Sequence, residues 1–266
     1  MKGDCNRIVS SLLCNPKILC LCVGIFALSA AADAHAQGLK PIAPDKPFLS
    51  SVKTIAMPEI DDPIQFSVIN PMGGLLPLFG GLGGGLAAGT DAERRKQVQQ
   101  EFTALLQKYE IGMGRELTDR LAGGLRVAGI NVKILTGARK NKGVPIQDLS
   151  SLQILPGSEA LLDVFFNNAT YMAVGNLQDF EPMMVVVARV YRVADRMLLY
   201  QQAFQYSKPM DASKIFFHPI ITEYSKQISF PNYKAIYESP ERAILGFRQG
   251  VTPIASRLQT EMLSWR

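Results

Sequence analysis

The stretch Leu161–Tyr206 constrains this chain more than any other, because it reads as three strands in succession and therefore demands a sheet. Leu161–Phe166 (LLDVFF) is a short apolar run. Met183–Val193 (MMVVVARVYRV) is longer and rich in β-branched residues, which pack well on a pleated surface. Ala194-Asp195-Arg196 supplies a turn. Beyond it Leu198, Tyr200, Gln202, Phe204 and Tyr206 fall on one face and Leu199, Gln201, Ala203 and Gln205 on the other, the alternation of a half-exposed strand. The unbroken run Val185–Val190 fits a strand covered on both faces, and its more polar partner fits one nearer an edge. Asn167–Pro182, between the first two runs, reads as a surface loop; its Asn168-Ala169-Thr170 matches a glycosylation acceptor, relevant only to a eukaryotic source.

The first 36 residues read as a targeting segment. Lys2, Arg7 and Lys17 form a positive region, Ile18–Ala32 is an apolar stretch of 15 residues, and Ala34-His35-Ala36 gives the small-x-small pattern of signal cleavage, which would leave Gln37 first. Fifteen residues fall short of the roughly 20 that span a bilayer as a helix, so cleavage is expected rather than anchoring. Cys5, Cys14, Cys20 and Cys22 all lie inside this segment, so the exported chain would carry no disulfide and must be stabilised by a core. Cys20 and Cys22 sit near the start of the apolar run rather than its end, which argues against lipidation. From Gln37 onward 25 basic residues face 21 acidic ones, with both signs interspersed; that mild balance suits an anionic surface but is no nucleic-acid footprint.

The remainder reads as one α/β domain over residues 51–266, preceded by a Pro-rich leader at 37–50 carrying Pro41, Pro44 and Pro47. Val52–Met57 is a first strand, and Ile64–Ile69 a weaker second. A helix begins at Ala92, and its stripe of Leu105, Leu106, Tyr109, Met113, Leu117, Leu121 and Leu125 gives one long helix or two meeting near Gly112-Met113-Gly114. Gly129 suits its end and Asn131–Leu135 the strand it feeds, so that strand should lie parallel to Val52–Met57. Asp148–Leu155 offers a short helix. Ser207–Ser239 is irregular, with Phe216, Phe217, Phe230, Tyr233 and Tyr237 packing back onto the sheet. A closing helix starts with Ser239 as N-cap and Pro240 at its first position, buries Ile244, Phe247, Val251, Ile254, Leu258 and Met262, and should kink at Pro253. The fold class is α/β with an α+β tendency: a mixed sheet with an N-terminal βαβ unit, a C-terminal β-hairpin and two main helices packed on it.

Met72–Gly89 is an apolar insertion of 18 residues with eight glycines and no charge. Glycine costs about 1 kcal/mol per residue against alanine in a helix interior, so no stable soluble helix forms there. Leu75, Leu76, Leu78, Phe79, Leu82 and Leu86 are the candidate contact with a membrane or partner protein; the competing reading folds them over the protein's own core. Gly81–Leu86 breaks the G-x-G-x-x-G pattern at its last position, and no Gly-Lys-Ser or Gly-Lys-Thr is present, so nucleotide binding is not expected.

Other chemistry is sparse. After signal removal His218 is the only histidine and no thiol remains, which excludes histidine–cysteine zinc sites and cysteine nucleophiles. No G-x-S-x-G elbow accompanies His218, so it reads as a structural residue. Glu59, Asp61 and Asp62 lack calcium-loop spacing and read as a solvated acidic turn. Arg139, Lys140 and Lys142 in Thr136–Pro145 read as a solvated basic loop, with an anion site as the lesser alternative. No catalytic residue, metal or cofactor is assigned.

The order SVKTIAMPEI, LRVAGINVKIL, LLDVFF and VVVARVYRVADRMLLYQQAFQY, closed by a helix, resembles over about Ser51–Leu263 the α/β domain shared by the TolB amino-terminal module and the curli-secretion lipoprotein CsgG. The resemblance is closer still to uncharacterised secreted or lipid-anchored proteobacterial proteins on the same plan. It implies a non-enzymatic periplasmic component binding other envelope proteins, with peripheral membrane contact or homo-oligomerisation as further options and no nucleic acid. The chain departs from that family in having no lipidation cysteine and in its Gly-rich insertion, and it has no paired alternating segments in that insertion to form a pore. The rival expectation is a periplasmic hydrolase or small-ligand binder built from the loops Glu59–Asp62 and Asn167–Asp179.

Overall fold

The computed structural model describes residues 40–69, 91–139, 141–146, 149–152, 156–173, 179–208, 220–221 and 228–266, which fall in the unit Pro41–Arg266 save for Lys40. The expected cleavage residues Ala34, Ala36 and Gln37, the apolar residues Leu75, Leu76, Leu78, Phe79, Leu82 and Leu86, and His218 lie outside the described residues.

A mixed sheet of seven strands organises the unit, in the order β3-β1-β4-β5-β6-β7 with β2 also on β4. The strands are β1 (Thr54–Pro58), β2 (Ser67–Ile69), β3 (Asn131–Leu135), β4 (Ala160–Met172), β5 (Glu181–Arg192), β6 (Leu198–Tyr206) and β7 (Ile220–Ile221). The helices are α1 (Lys46–Leu49), α2 (Asp91–Leu106), α3 (Met113–Val127), α4 (Tyr233–Tyr237), α5 (Pro240–Arg248) and α6 (Val251–Leu263). As the α/β reading requires, β1 and β3 run parallel, Thr54 opposite Asn131, with α2 and α3 in the connection. The expected hairpin is β5–β6, antiparallel with Arg189 opposite Gln201.

The apolar stripe expected from Leu105 to Leu125 is divided between two helices. Gly112, at φ +66°, holds a left-handed conformation that ends the intervening turn, and α3 then buries Met113, Leu117, Leu121 and Leu125 against the sheet. The closing helix is likewise two helices, and the expected kink at Pro253 is corrected to a break at Gln249-Gly250. Pro253 lies in the first turn of α6, where its missing N–H costs nothing; its ring would clash with the carbonyl four residues back, so the helix is interrupted one turn upstream of the proline. Gly250 also lets this corner close onto the sheet, since a Cβ there would collide with Met184 and Tyr206. The sheet therefore carries four substantial helices rather than two.

One face of the sheet, bearing Leu162, Val164, Val186, Ala188 and Phe204, packs with Phe102, Leu117, Leu121, Phe247, Ile254 and Leu258 into the main core. Tyr171 stands edge-on to Phe230 and Phe247 at 5.2 and 4.9 Å and donates its hydroxyl to the Ala243 carbonyl at 3.1 Å. Phe230, Tyr233 and Tyr237 pack back as expected: Phe230 and Tyr233 are buried, and Tyr237 is half-buried against Phe102. On the other face Ala56, Leu135 and Leu161 meet Ala138, Leu149 and Leu152 from the β3–β4 connection, in which a 3-10 turn at Leu149–Ser151 replaces the expected short helix.

Three further expectations are corrected. Asn167–Met172 is strand, not loop: β4 runs 13 residues, paired with β5 throughout, and a bulge between Phe166 and Asn168 absorbs the break in the apolar pattern. The Asn168-Ala169-Thr170 acceptor thus sits in a strand with Thr170 fully buried. β6 is not half exposed. Gln201 and Gln205 are buried with its apolar residues, because Ile42 bonds Gln201 on the outer edge and β7 pairs Phe204 and Gln205 beyond it. That pairing also makes residues 41–45 part of the sheet rather than a free leader, and Asp45 caps α1 and pairs with Arg192 at 3.3 Å.

Candidate functional site

In open α/β sheets ligands bind outside the carboxyl ends of the strands, where successive connections leave in opposite directions. Here that point is the end of β1, with β3 on one side and β4 on the other; the β1–β3 connection supplies helices to one face and the β3–β4 connection covers the opposite face. Four segments converge there: the β1 exit Glu59–Asp62, the β3 exit at 136–146, the start of α3 and the middle of β4.

Arg139 fills the convergence. Its side chain is 4 % exposed and its NH2 lies 2.5 Å from Oδ1 of Asp163, which is fully buried. The guanidinium also donates to the carbonyls of Glu59 (3.2 Å), Val144 (2.9 Å) and Val164 (2.7 Å), and its Nε lies 3.9 Å from Asp61. Asp163 accepts a further bond on its other oxygen from the Ile146 amide at 3.1 Å. A buried charge is tolerated only when paired and hydrogen-bonded, and both members of this pair meet that condition. Arg139 is therefore not part of a solvated basic loop, and its guanidinium holds a carboxylate of the protein itself rather than an external anion.

The acidic turn is spent in the same way. Asp62 accepts from the Gly112 amide (3.1 Å) and the Gly114 amide (2.7 Å), placing a carboxylate at the positive end of α3. Asp61 accepts from the Gly143 amide at 2.9 Å, tying the β1 exit to the β3 exit. Glu59 accepts from the Thr136 hydroxyl at 3.4 Å. The solvated-turn reading is thus corrected for Asp61 and Asp62, which serve two loops at once, while Glu59 stays exposed. Gly114 is required because a Cβ there would collide with the Ile60 carbonyl oxygen. Thr118, one turn on, receives the Ile60 amide at 3.0 Å and closes the cap.

Among the described residues, those of the second half of the rival site do not join this cluster, and residues 174–178 lie outside the described residues. Asn167 and Asn168 lie in β4, and Asp179 accepts from Ser229 at 3.4 Å. Among the described residues no three His, Cys, Asp or Glu side chains are grouped as a metal would require. On the other face Arg189 donates to Gln201 at 2.6 Å and lies 5.2 Å from the centroid of the Phe165 ring, and Tyr191 nearby has its hydroxyl pKa pushed up by burial. A separate apolar crevice of about 10 Å³, between Leu49, Val52, Ile55, Ala160, Met262 and Trp265, has room for about one water.

Sequence reasoning passed over the Arg139–Asp163 pair. The signal was present: Asp163 is a lone charge in the middle of LLDVFF, and a charge there must find a partner inside the protein.

What these features define is an α/β domain whose strand-end groups are turned inward and satisfied by one another. No family model matches the chain, and no curated protein does. Among solved structures, a homologue of neuraminyllactose-binding hemagglutinin from Helicobacter pylori is similar at 8 % identity and a TM-score of 0.31, over 79 % of this chain and 83 % of that one. A DUF330 protein from Xanthomonas campestris is similar at 10 % identity and a TM-score of 0.31, over 84 % of this chain and 98 % of that one.

Proposed function

We propose that the protein is a non-enzymatic component of a bacterial cell envelope, exported to the periplasm, that works by binding other envelope proteins. The observation that carries this reading over a hydrolase or ligand binder is the fate of Asp61, Asp62 and Asp163. Among the described residues Asp61, Asp62 and Asp163 each accept a backbone amide of the protein itself and Asp163 also holds Arg139, which supports a structural use of these carboxylates over a catalytic one. The export half rests on the sequence: a positive region, 15 apolar residues and Ala34-His35-Ala36. Met72–Gly89, apolar and uncharged, is the segment offered for membrane or partner contact.

The test is to fractionate cells expressing the native protein into periplasmic extract and carbonate-washed membranes, and to read the mature N-terminus by mass spectrometry. The expected result is a chain beginning at Gln37 that migrates on native gels in a larger assembly. Deletion of residues 72–89 should reduce that association while leaving the circular dichroism spectrum intact. A chain retained in the cytosol, or one that is exported but migrates alone under every condition, would defeat the proposal.

A further inference from the structure

The two edges of the sheet are finished differently. Beyond β6, residues 41–45 and β7 cover the backbone. β3, at the other end, has β1 as its one strand partner among the described residues. The Asn131 amide bonds the Lys53 carbonyl and the Leu135 carbonyl accepts from Glu59, so the odd-numbered residues face β1 and the backbone groups of Val132 and Ile134 point outward. A Cβ built on Gly129 or Gly137, just before and just after β3, meets nothing within 4 Å among the described residues. Val127, the last residue of α3, is 92 % exposed.

The surroundings are basic. Arg126 reaches from α3 to the outward Val132 carbonyl at 2.9 Å, Lys133 donates to the Pro156 carbonyl at 2.6 Å, and Arg266 donates to the Ala128 carbonyl at 3.0 Å. Exposed Lys53 lies at the head of β1. Glu159 is close by, but its carboxylate accepts from the Lys53 and Thr54 amides, which also hold its pKa below the usual range. An uncovered edge invites strand addition. A second copy is a poor occupant, since antiparallel β3–β3 pairing would bring Lys133 and Arg126 against their own equivalents.

We propose that the β3 edge binds an extended, acidic segment of a partner protein by strand addition, Arg126 releasing the Val132 carbonyl to the incoming amide and pairing with a carboxylate of the added strand. This rests on the interaction reading above and gives it a surface. The outward amides of Val132 and Ile134 and the Ile134 carbonyl supply the remaining backbone bonds, and the charges choose the partner.

The purified full chain would be titrated against a fluorescent peptide of about ten residues alternating Glu with Val and Thr, and against its Lys-for-Glu counterpart. Binding is followed by anisotropy, and the Val132 and Ile134 amides by hydrogen exchange. The acidic peptide should bind, protect both amides and weaken as salt rises; the basic one should not bind. Ile134→Pro removes an outward N–H at an edge position where proline is tolerated, and should weaken binding at least about tenfold. Arg126→Glu should reverse the preference between peptides while leaving the melting temperature near that of the parent. Failure of the acidic peptide to bind, equal binding of both peptides, or undiminished binding by a folded Ile134→Pro chain would each overturn the assignment. So would a dimer in sedimentation that Ile134→Pro abolishes, which would make a second copy the occupant. If Ile134→Pro still enters its cellular assembly, this surface is refuted and the interaction role stands.

Discussion

Replacing Asp163 by alanine would leave the Arg139 guanidinium with 4 % exposure and no opposing charge at bonding distance, since Asp61 lies 3.9 Å away from Nε. Breaking a buried pair from one side costs about 3–5 kcal/mol, because the survivor keeps its desolvation penalty. The Ile146 amide also loses its acceptor, which places Asp163→Ala toward the upper part of that range. For a chain of this size each kcal/mol moves the melting temperature by about 2–4 °C, so a drop of about 10–20 °C is expected by circular dichroism, with a matching fall in the urea midpoint. The double variant Arg139→Met, Asp163→Leu removes both charges and should recover only the part of the loss due to the unpaired guanidinium, since the Ile146 amide and the Glu59, Val144 and Val164 carbonyls still lose their partners. A single variant costing under about 1 kcal/mol would mean that water reaches the pair, and the claim that it fills the strand ends would fall.

Gly114→Ala should destabilise by about 2–3 kcal/mol in chemical denaturation, because its Cβ meets the Ile60 carbonyl and the cap from Asp62 must shift; a neutral result would mean that this corner relaxes freely. Arg196→Gly should raise stability by about 0.5 kcal/mol: the hairpin tip holds Arg196 at φ +61°, and relief of that conformation outweighs glycine's entropy in the unfolded chain, as a shift in the urea midpoint would record. Burial lifts the hydroxyls of Tyr171, Tyr200 and Tyr233 above the usual 10 and that of Tyr237 to about 12. Since the folded values are raised, this contribution to stability is complete below pH 10 and declines as pH rises beyond it. Absorbance at the phenolate band should therefore lag that of free tyrosine and rise together with unfolding; early, reversible ionisation of all the tyrosines would contradict the burial.

Much of the architecture was readable because it is written in periodicity. The β-branched run Val185–Val190 and the stripe Met113–Leu125 report their own burial, and the crossover between β1 and β3 follows from a helix lying between two short strands. What escaped was set by tertiary partners. Asn167 and Asn168 resemble a loop until β5 is laid beside them, and then a bulge suffices. Residues 41–45 resemble a linker until the outer edge of β6 needs a partner. Asp61 and Asp62 resemble a solvated turn because nothing local says that the start of α3 and the Gly143 amide will come to meet them. Pro253 acts through its ring on the carbonyl four residues behind it rather than through its missing N–H, so the break falls a turn ahead of the proline.

The strand β4 is joined from one side twice by the same piece of chain: Ile55 opposite Ala160 where β1 meets it, and Ser67 opposite Thr170 where β2 does. Between those contacts the outer chain spends twelve residues and β4 spends ten. A loop with both ends clamped to one ruler has no slack to trade. Length changes in residues 59–66 must therefore be taken up by shifting a register or by tearing Asp61 and Asp62 from their amides, whereas the hairpin tip at 194–197, beyond the Val193 amide that holds the Glu159 carbonyl, is exposed. A tag, a fluorophore or a grafted epitope belongs at that tip, and the short passage after β1, although it lies outside the regular strands, is the wrong place to put one.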